Sequence, residues 1–229
     1  MRISVGIPVY NQGEYLAQAV DSALAQTHKA HEILICNDGS TDNSLEIAKS
    51  YESKGVKVIN QVNKGLASAR NTLLMNMVGN NFCFFLDADD MMLENCLERI
   101  SQIIEETDAD IVAPSFKTFG TTNEQVVLMP NPTLEDFKTA NRIGYMSAIR
   151  RLALLEVGGY NPKMIWGWED YDLWFDLLKR GKRIVTIPEI LILYRTKEQS
   201  MITEANKHSK ELWEQIYKNH PDVFGLSTK

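Results

Sequence analysis

The sequence has few of the features that mark membrane, secreted or nucleic-acid-binding proteins. Its 229 residues contain no apolar run of about 18 residues, the length that a spanning helix needs, and the strand-like run that Pro8 interrupts is too short for a signal-peptide core. Acidic residues outnumber basic ones, 30 to 24, which argues against bulk attraction to nucleic acid or to an anionic membrane. We therefore expect a cytoplasmic protein with no nucleic-acid partner, whose membrane contact is at most peripheral, at the inner face.

Cysteine is also scarce, and its spacing excludes the common cysteine-based sites. Cys36, Cys83 and Cys96 are odd in number and form no CxxC pair, so we expect reduced, structural thiols rather than a disulfide framework or a zinc site. The chain also lacks an internal repeat, a low-complexity tract and a linker rich in proline or glycine. These absences favour a single domain over residues 1–229.

In the first half, apolar β-branched runs alternate with helical patterns. The predicted strand and helix pairs are 3–9 and 14–26, 32–36 and 44–51, 56–61 and 66–77, and 82–86 and 93–105. Four such pairs predict an α/β fold, a Rossmann-like and mostly parallel sheet covered by helices on both faces. Ligands of such sheets bind at the carboxyl ends of the strands, so the residues that follow each strand are the candidates for function.

The second half is less regular. Strands are predicted over 110–119, 124–129, 144–149, 183–188 and 190–195, and helices over 150–161, 168–180 and 205–220. The polar stretch between Thr196 and Glu204 is predicted to be a mobile loop. We expect residues 1–105 to form a nucleotide-binding half, 106–195 a smaller acceptor-side β region, and 196–229 the loop and a C-terminal helix.

The segment NDGSTDNS, which begins at Asn37, follows the second predicted strand. In one interpretation it is an ordinary turn and helix start, because Asp-Gly favours turns and serine, threonine and asparagine are good N-caps. In the other, Asp38 accepts a hydrogen bond from a base N–H, which favours uracil, thymine or guanine, and Gly39 allows the backbone close to a ligand.

The segment NKGLASARN, which ends at Asn71, also has two interpretations. Its small residues suit a helix that packs closely on the sheet. Arg70, however, lies near the carboxyl edge of the sheet, where a guanidinium can pair with a phosphate or contact a base carbonyl.

Three carboxylates, Asp87, Asp89 and Asp90, follow the fourth predicted strand directly. Acids at this position favour the dipole of the next helix, but one acid would be enough for a cap. Crowded carboxylates raise one another's pKa and require a counter-charge. Carboxylate oxygens are hard ligands that suit Mg²⁺ or Mn²⁺, which complete their coordination with water and substrate phosphates.

A further acidic cluster, Glu169, Asp170 and Asp172, stands at the start of the helix predicted over 168–180. The helix macrodipole alone could account for these acids. Trp166 and Trp168 precede them in a loop with Gly167, and aromatic faces beside carboxylates suit the binding of sugar rings.

Taken together, these segments resemble glycosyltransferase family 2, the inverting enzymes with the GT-A nucleotide-sugar fold. The resemblance extends over about residues 1–195 and depends on five segments in order, VGIPVYNQGEYLAQAVDSALAQT, ILICNDGSTDNS, NKGLASARN, FFLDADD and GWEDYDLWFDLL. It implies transfer of a sugar from a nucleoside diphosphate sugar, most simply a UDP-sugar, to a glycan or lipid-linked acceptor, in polysaccharide or glycan assembly.

The resemblance also implies roles for individual residues. It places five residues around the nucleotide, Pro8, Tyr10, Glu14, Asp38 and Arg70. It places Asp87 and Asp89 in the DxD motif that meets the ribose and the metal, and Asp170 as the base. From the chemistry of such a transfer we expect Asp89 to hold Mn²⁺ or Mg²⁺, Asp87 to hold the ribose or a metal-bound water, and Glu169 to orient the acceptor hydroxyl. Trp166 and Trp168 are the candidates for acceptor binding because of their aromatic faces.

The chain departs from the family at Lys197, where relatives often carry a histidine that completes the metal's coordination. A protonated lysine cannot ligate a metal but can place a cation against the diphosphate. In the alternative interpretation, Lys197 is an exposed loop residue.

Two other function classes remain at this stage. One is a DxD phosphatase, which favours threonine or valine two residues past its second aspartate, where this chain has Met91. The other is a protein with this fold that binds a nucleotide sugar without turning it over. The sequence does not indicate an oligomeric state.

Overall fold

One mixed sheet of nine strands organises residues 1–225, the part of the chain that this computed structural model describes. Its strands are β1 (Ile3–Val9), β2 (Glu32–Asp38), β3 (Lys57–Gln61), β4 (Phe82–Phe85), β5 (Met91–Met92), β6 (Ile111–Gly120), β7 (Gln125–Val126), β8 (Ala148–Arg150) and β9 (Ile184–Thr196). The helices are α1 (Gly13–Leu24), α2 (Ser44–Ser50), α3 (Leu66–Asn76), α4 (Cys96–Thr107), α5 (Leu134–Phe137), α6 (Arg151–Val157), α7 (Glu169–Lys179), α8 (Met201–Lys207) and α9 (Ser209–Asn219).

The strand order is β3-β2-β1-β4-β8-β6-β9-β5, with β7 paired to β6. The first four strands of this order are parallel, β8 runs against both β4 and β6, and β9 is parallel to β6. Because β1, β2 and β4 are parallel, the polar segments that follow them meet at one edge of the sheet. The α/β fold predicted from the alternating patterns is confirmed.

Helices cover both faces of the sheet. Side chains of α1, α2 and α4 pack in one core, and those of α3, α6, α7 and α9 pack in the other. Every residue of β1 is buried, as expected of a strand between two helical layers. The three cysteines are buried and unbonded, in agreement with structural thiols.

The second half differs from its prediction at several places. The two strands predicted over 183–188 and 190–195 form one strand, β9. Its pairing with β6 shifts register at Ser115, so that Pro188 and Glu189 lie outside the regular pairing and the strand continues past the proline. The strand predicted over 124–129 pairs only as the two residues of β7.

The C-terminal region is also more structured than predicted. Part of the stretch expected as a mobile loop is helical, because Ser200 and Thr203 form a reciprocal cap at the start of α8. The single helix predicted over 205–220 is two helices, separated at His208. The division into halves at residues 105 and 195 remains a prediction, and residues 226–229 of its last part lie outside the described residues.

Candidate active site

Two neighbouring clefts open at the carboxyl ends of the parallel strands. The first, of about 420 Å³, is bordered by the segments after β1, β2 and β4. The second, of about 560 Å³, lies towards α7 and α9. Five residues line both clefts: Leu66, Asp87, Tyr194, Met201 and Ile202. Molecules bound in the two clefts would therefore meet beside Asp87.

The end of β2 forms one wall of the first cleft. Asp38 accepts hydrogen bonds from Gln61 Nε2 (2.7 Å) and from the backbone N–H groups of Lys64 (2.9 Å) and Gly65 (2.8 Å). Gly39 has φ +73°, and a Cβ there would lie 2.7 Å from the backbone nitrogen of Asn63. Asp38 thus anchors the loop before α3 as well as facing the cleft.

Other residues that the resemblance assigns to the nucleotide lie at different depths. Pro8 and Tyr10 line the first cleft, and Tyr10 is 48% exposed, so its ring is available to a ligand. Glu14 is exposed in the first turn of α1 and is not among the residues that border the cleft.

Arg70 lies in the interior and contacts two carboxylates. Its side chain is fully buried, with Nη2 donating to Asp87 Oδ1 (2.7 Å) and Nη1 to Glu169 Oε1. The guanidinium also lies 4.7 Å from the ring centroid of Tyr145 and 5.4 Å from that of Tyr160. Arg70 therefore links the loop after β4 to the first turn of α7, and it borders the second cleft rather than the first.

The three aspartates after β4 have three different partners. Asp87 is paired with Arg70, yet its burial and the nearby Asp89 raise the pKa of its carboxyl to about 6. Asp90 accepts hydrogen bonds from Tyr145 Oη and from the backbone N–H of Arg195 (2.7 Å), and burial raises its pKa well above the usual value. Asp90 thus has a structural role, because it fastens the end of β9.

Asp89 points into the first cleft and meets Lys197. The Lys197 Nζ lies 2.6 Å from Asp89 Oδ2, and it also donates to Gln12 Oε1 at 3.1 Å. The counter-charge at the aspartate cluster is therefore supplied by two side chains, Arg70 for Asp87 and Lys197 for Asp89.

At the second cleft, Glu169 and Asp170 begin α7. Trp168 precedes them with φ +60°, a left-handed conformation that is uncommon for a bulky residue. Asp170 accepts hydrogen bonds from Asn141 Nδ2 (3.1 Å) and from the backbone N–H of Tyr171 (2.8 Å). Burial, followed by the charge of Glu169, raises the pKa of Asp170 to about 7, which is suitable for a general base near neutral pH.

The two tryptophans assigned to the acceptor have different surroundings. Trp168 lines the second cleft and packs edge-on against Trp213, with ring centroids 5.6 Å apart. Trp166 is not among the residues that border this cleft; its ring stacks on His208, with centroids 4.0 Å apart. The geometry thus brings Trp168, but not Trp166, to the cleft that contains Asp170.

Several residues of the clefts have no local sequence signal. Tyr145 and Asn141 contact Asp90 and Asp170, and Gln12 contacts Lys197, all across large sequence separations. Met201 and Ile202 belong to the stretch that the sequence predicts to be a polar loop. For the segment that contains Met201 and Ile202, the sequence signal is limited to the end of the preceding strand and Lys197.

Asp89 is not part of a group of three metal-ligating side chains that lie close enough together to hold an ion. In the described part of the chain, the one such group consists of Asp172, Asp176 and His220, on α7 and at the end of α9. There, Asp172 accepts hydrogen bonds from Asn219 (2.7 Å) and His220 (2.9 Å), which join the two helices. Asp89 nevertheless fits a Mg²⁺ or Mn²⁺ ion that is bound mainly by substrate phosphates and water, since such ions need only one or two protein carboxylates.

Comparison with known proteins identifies the family. The sequence model described as "Glycosyl transferase family 2" matches residues 4–167. The chain belongs to glycosyltransferase family 2. This membership confirms the resemblance that the five segments indicate.

Glycosyltransferases with curated descriptions match different lengths of this chain. Glycosyltransferase GlyA of Streptococcus pneumoniae is 42% identical over 121 residues, which cover 52% of this chain and 17% of GlyA. The uncharacterized glycosyltransferase alr2836 of Nostoc is 31% identical over 227 residues, 91% of this chain and 67% of that protein. The chain thus spans less than a fifth of GlyA but two thirds of the Nostoc protein.

The fold agrees with that of a solved structure. Residues 1–349 of Staphylococcus aureus TarS, crystallised with UDP-GlcNAc, superpose with a TM-score of 0.83 at 19% identity, covering all of this chain and 68% of that one. The similarity confirms the GT-A-like fold. No helix within residues 1–225 combines the length and the apolar character needed to cross a bilayer.

Proposed function

We propose that the chain transfers a sugar from a nucleoside diphosphate sugar, most simply a UDP-sugar, to an acceptor hydroxyl with inversion, in glycan or polysaccharide assembly. The observation that carries this proposal is the meeting of the two clefts at Asp87. Asp89 faces the first cleft, whereas Asp170, whose pKa is raised, faces the second. A donor in the first cleft and an acceptor in the second would then be in contact between Asp89, which can bind a cation, and Asp170, which can accept a proton.

The nucleotide would occupy the first cleft. Pro8 and Tyr10 would contact the base from one side, and the remaining acceptor capacity of Asp38 would receive its N–H. Asp87 would hold the ribose, and the buried guanidinium of Arg70 would keep the Asp87 carboxylate oriented. Contact of Glu14 and Arg70 with the nucleotide itself remains a prediction, because neither lines this cleft.

Asp89 would hold Mn²⁺ or Mg²⁺ together with the diphosphate of the donor. When bound, such an ion neutralises the charge that develops on the leaving nucleoside diphosphate. Lys197, beside Asp89, is positioned to add a second positive charge to the same side of the cleft.

Asp170 would act as the base. The acceptor oxygen attacks the anomeric carbon, the bond from that carbon to the diphosphate oxygen breaks, and the acceptor proton passes to the Asp170 carboxylate. A single displacement from the opposite side inverts the anomeric carbon. Asn141 and the N–H of Tyr171 hold the carboxylate in place, and Glu169 would orient the attacking hydroxyl.

The acceptor would be a sugar-bearing molecule, either a glycan or a lipid-linked one, in the second cleft. Trp168, Tyr145, Tyr194 and Trp213 line that cleft, and aromatic faces stack on the C–H faces of sugar rings. Trp166, stacked on His208, would contribute by holding the start of α9 rather than by touching a bound sugar.

Release of nucleoside diphosphate from a panel of nucleotide sugars, with Mn²⁺ and candidate acceptors, tests the proposal. Thermal shift identifies the donor first, because a ligand at 100 times its dissociation constant stabilises the fold by about 2.7 kcal/mol. We expect release that requires a sugar donor and increases when acceptor is added. In the Asp170→Asn variant, release should be about 10²- to 10⁴-fold slower. A phosphatase would release inorganic phosphate, whereas donor binding without release would show a nucleotide-sugar-binding protein.

A further inference from the structure

Lys197 occupies a cation site at the edge of the first cleft. Its Nζ lies 2.6 Å from Asp89 Oδ2, 3.1 Å from Gln12 Oε1 and 4.9 Å from the ring centroid of Tyr15. A carboxylate, an amide oxygen and an aromatic face thus surround one ammonium group. Both partners of the ion pair are largely shielded, since the side chains of Lys197 and Asp89 are 24% and 20% exposed.

This arrangement differs from the exposed ion pair on the neighbouring helix. Lys207 and Glu204, on the neighbouring α8, also form a pair, but their side chains are 66% and 56% exposed. Exposed pairs of that kind are screened by water and salt. The Lys197 ammonium instead lies in a partly closed cleft, where its charge acts on whatever else approaches Asp89.

An ammonium and a divalent ion compete for Asp89 in this position. A Mg²⁺ or Mn²⁺ ion lies about 2.1 Å from a carboxylate oxygen, and Lys197 already contacts one of the two oxygens. Two cations at such separations repel strongly, more so in a cleft than in bulk water. The other carboxylates of the cluster offer little compensation, because Asp87 is paired with Arg70 and Asp90 with Tyr145 and Arg195.

The position of Lys197 in the chain allows it to leave Asp89. The preceding residue, Thr196, is fixed by pairing in β9 and by its hydroxyl, which donates to the Phe119 carbonyl at 3.0 Å. The next fixed point is Ser200, which caps α8. Lys197 is therefore the first residue of a three-residue connection, and its flexible stem can redirect the ammonium while the strand stays in place.

We propose that Lys197 is an internal counter-cation that keeps divalent metal off Asp89 until a nucleoside diphosphate enters the first cleft. The diphosphate then draws the ammonium from Asp89 onto its own oxygens, and the carboxylate becomes free for the ion that accompanies the phosphates. Metal binding is thereby made dependent on donor. The part of this inference that concerns the donor rests on the proposed function, whereas the exclusion of metal from the free protein does not.

Titration of Mn²⁺ alone, with free Mn²⁺ measured by electron paramagnetic resonance, tests the exclusion. Four proteins are compared: wild type, Lys197→Met, Lys207→Met and the double variant Lys197→Met with Asp89→Asn. Lys207→Met is the matched control, since it removes the same charge from an exposed pair. We expect Lys197→Met to bind one Mn²⁺ about 10- to 100-fold more tightly than wild type and the control, as for the loss of one charge-assisted contact. The double variant should lose that gain.

A calorimetric titration of UDP in the presence of a chelator tests the second step. Wild type should bind metal-free UDP, Lys197→Met should bind it about tenfold or more weakly, and Mn²⁺ should restore the binding of the variant. Thermal melting of each variant establishes that it is folded before either titration.

Equal Mn²⁺ affinity in wild type and Lys197→Met, including no detectable binding to either, would overturn the proposal. So would a gain that persists in the double variant, because the ion would then be bound elsewhere. Neither titration requires turnover. If Mn²⁺ behaves as expected but no sugar donor is consumed, the proposed function fails while the counter-cation role of Lys197 stands.

Discussion

The titration of Asp170 provides the most direct test of the proposed chemistry. Burial and the charge of Glu169 raise the pKa of this carboxyl to about 7, so it is protonated, and unable to accept a proton, in acid. Turnover should therefore rise with pH through about 7 and level off above it. One pH unit below the pKa, roughly a tenth of the enzyme has the base ionised, so turnover there should be about a tenth of its plateau.

Two substitutions should move this pH dependence in opposite directions. Glu169→Gln removes the neighbouring negative charge, which should lower the pKa of Asp170 and shift the rise in turnover to lower pH. Asn141→Ala removes a hydrogen bond that favours the ionised carboxylate, which should raise the pKa and shift the rise to higher pH. A lost hydrogen bond to a charged group is worth about 1.5 to 3 kcal/mol, which corresponds to a shift of roughly one to two pH units as an upper range.

The assay is release of nucleoside diphosphate at saturating donor and acceptor, measured from pH 5.5 to 9 for wild type and both variants. Asp170→Asn serves as the reference, since its amide keeps the shape but cannot accept the proton, and should reduce turnover by about 10²- to 10⁴-fold. Base catalysis by Asp170 would be refuted if the pH profiles of wild type, Glu169→Gln and Asn141→Ala coincided. Wild-type turnover in Asp170→Asn would also refute it.

Three further predictions concern the first cleft and the interior beneath it. Asp89→Ala should largely abolish the effect of Mn²⁺ on UDP binding while the protein stays folded, and calorimetry with and without Mn²⁺ checks this; a variant in which Mn²⁺ strengthens UDP binding as much as in wild type would contradict it. Asp38→Ala should raise the Michaelis constant of the donor more than it lowers turnover, and the reverse pattern would remove Asp38 from the nucleotide site. Arg70→Ala should lower the free energy of unfolding by about 3 kcal/mol or more, because two carboxylates lose their buried partner. Arg99→Ala, which removes an exposed ion pair with Glu189, should lower the free energy of unfolding by only about 1 kcal/mol or less. Urea denaturation measures both variants, and similar losses of stability would contradict the role of Arg70 as a buried link between two carboxylates.

The elements that the sequence predicts well are those with strong local periodicity. The four strand and helix pairs of the first half are apolar strands followed by amphipathic or small-residue helices, and each turn between them has residues that favour turns. Since the strands are parallel, residues far apart in the sequence, such as Asp38 and Asp87, necessarily meet at one edge. This is why a linear pattern could predict that Asp38, Asp87 and Asp89 lie along one cleft.

The features that were predicted wrongly depend on contacts between distant residues. Nothing near Arg70 indicates that its partners are 17 and 99 positions away, or that it is fully buried. The long strand β9 was divided at Pro188 because the register shift that accommodates proline belongs to its pairing with β6. The sequence does not predict helix α8, because its seven residues begin at a cap formed by Ser200 and bury only Ala205, so they show no apolar period.

Helix α8 separates the two clefts as a single short wall. Met201 and Ile202 line both of them, and each is about half exposed, at 52% and 46%. The shapes of the two clefts are therefore not independent variables. A larger side chain at residue 202, introduced to alter the choice of acceptor, would also narrow the first cleft. A rigid movement of α8 would change the shape of both clefts at once. Attempts to change one specificity without the other should start at residues that line a single cleft, such as Tyr10 or Trp213.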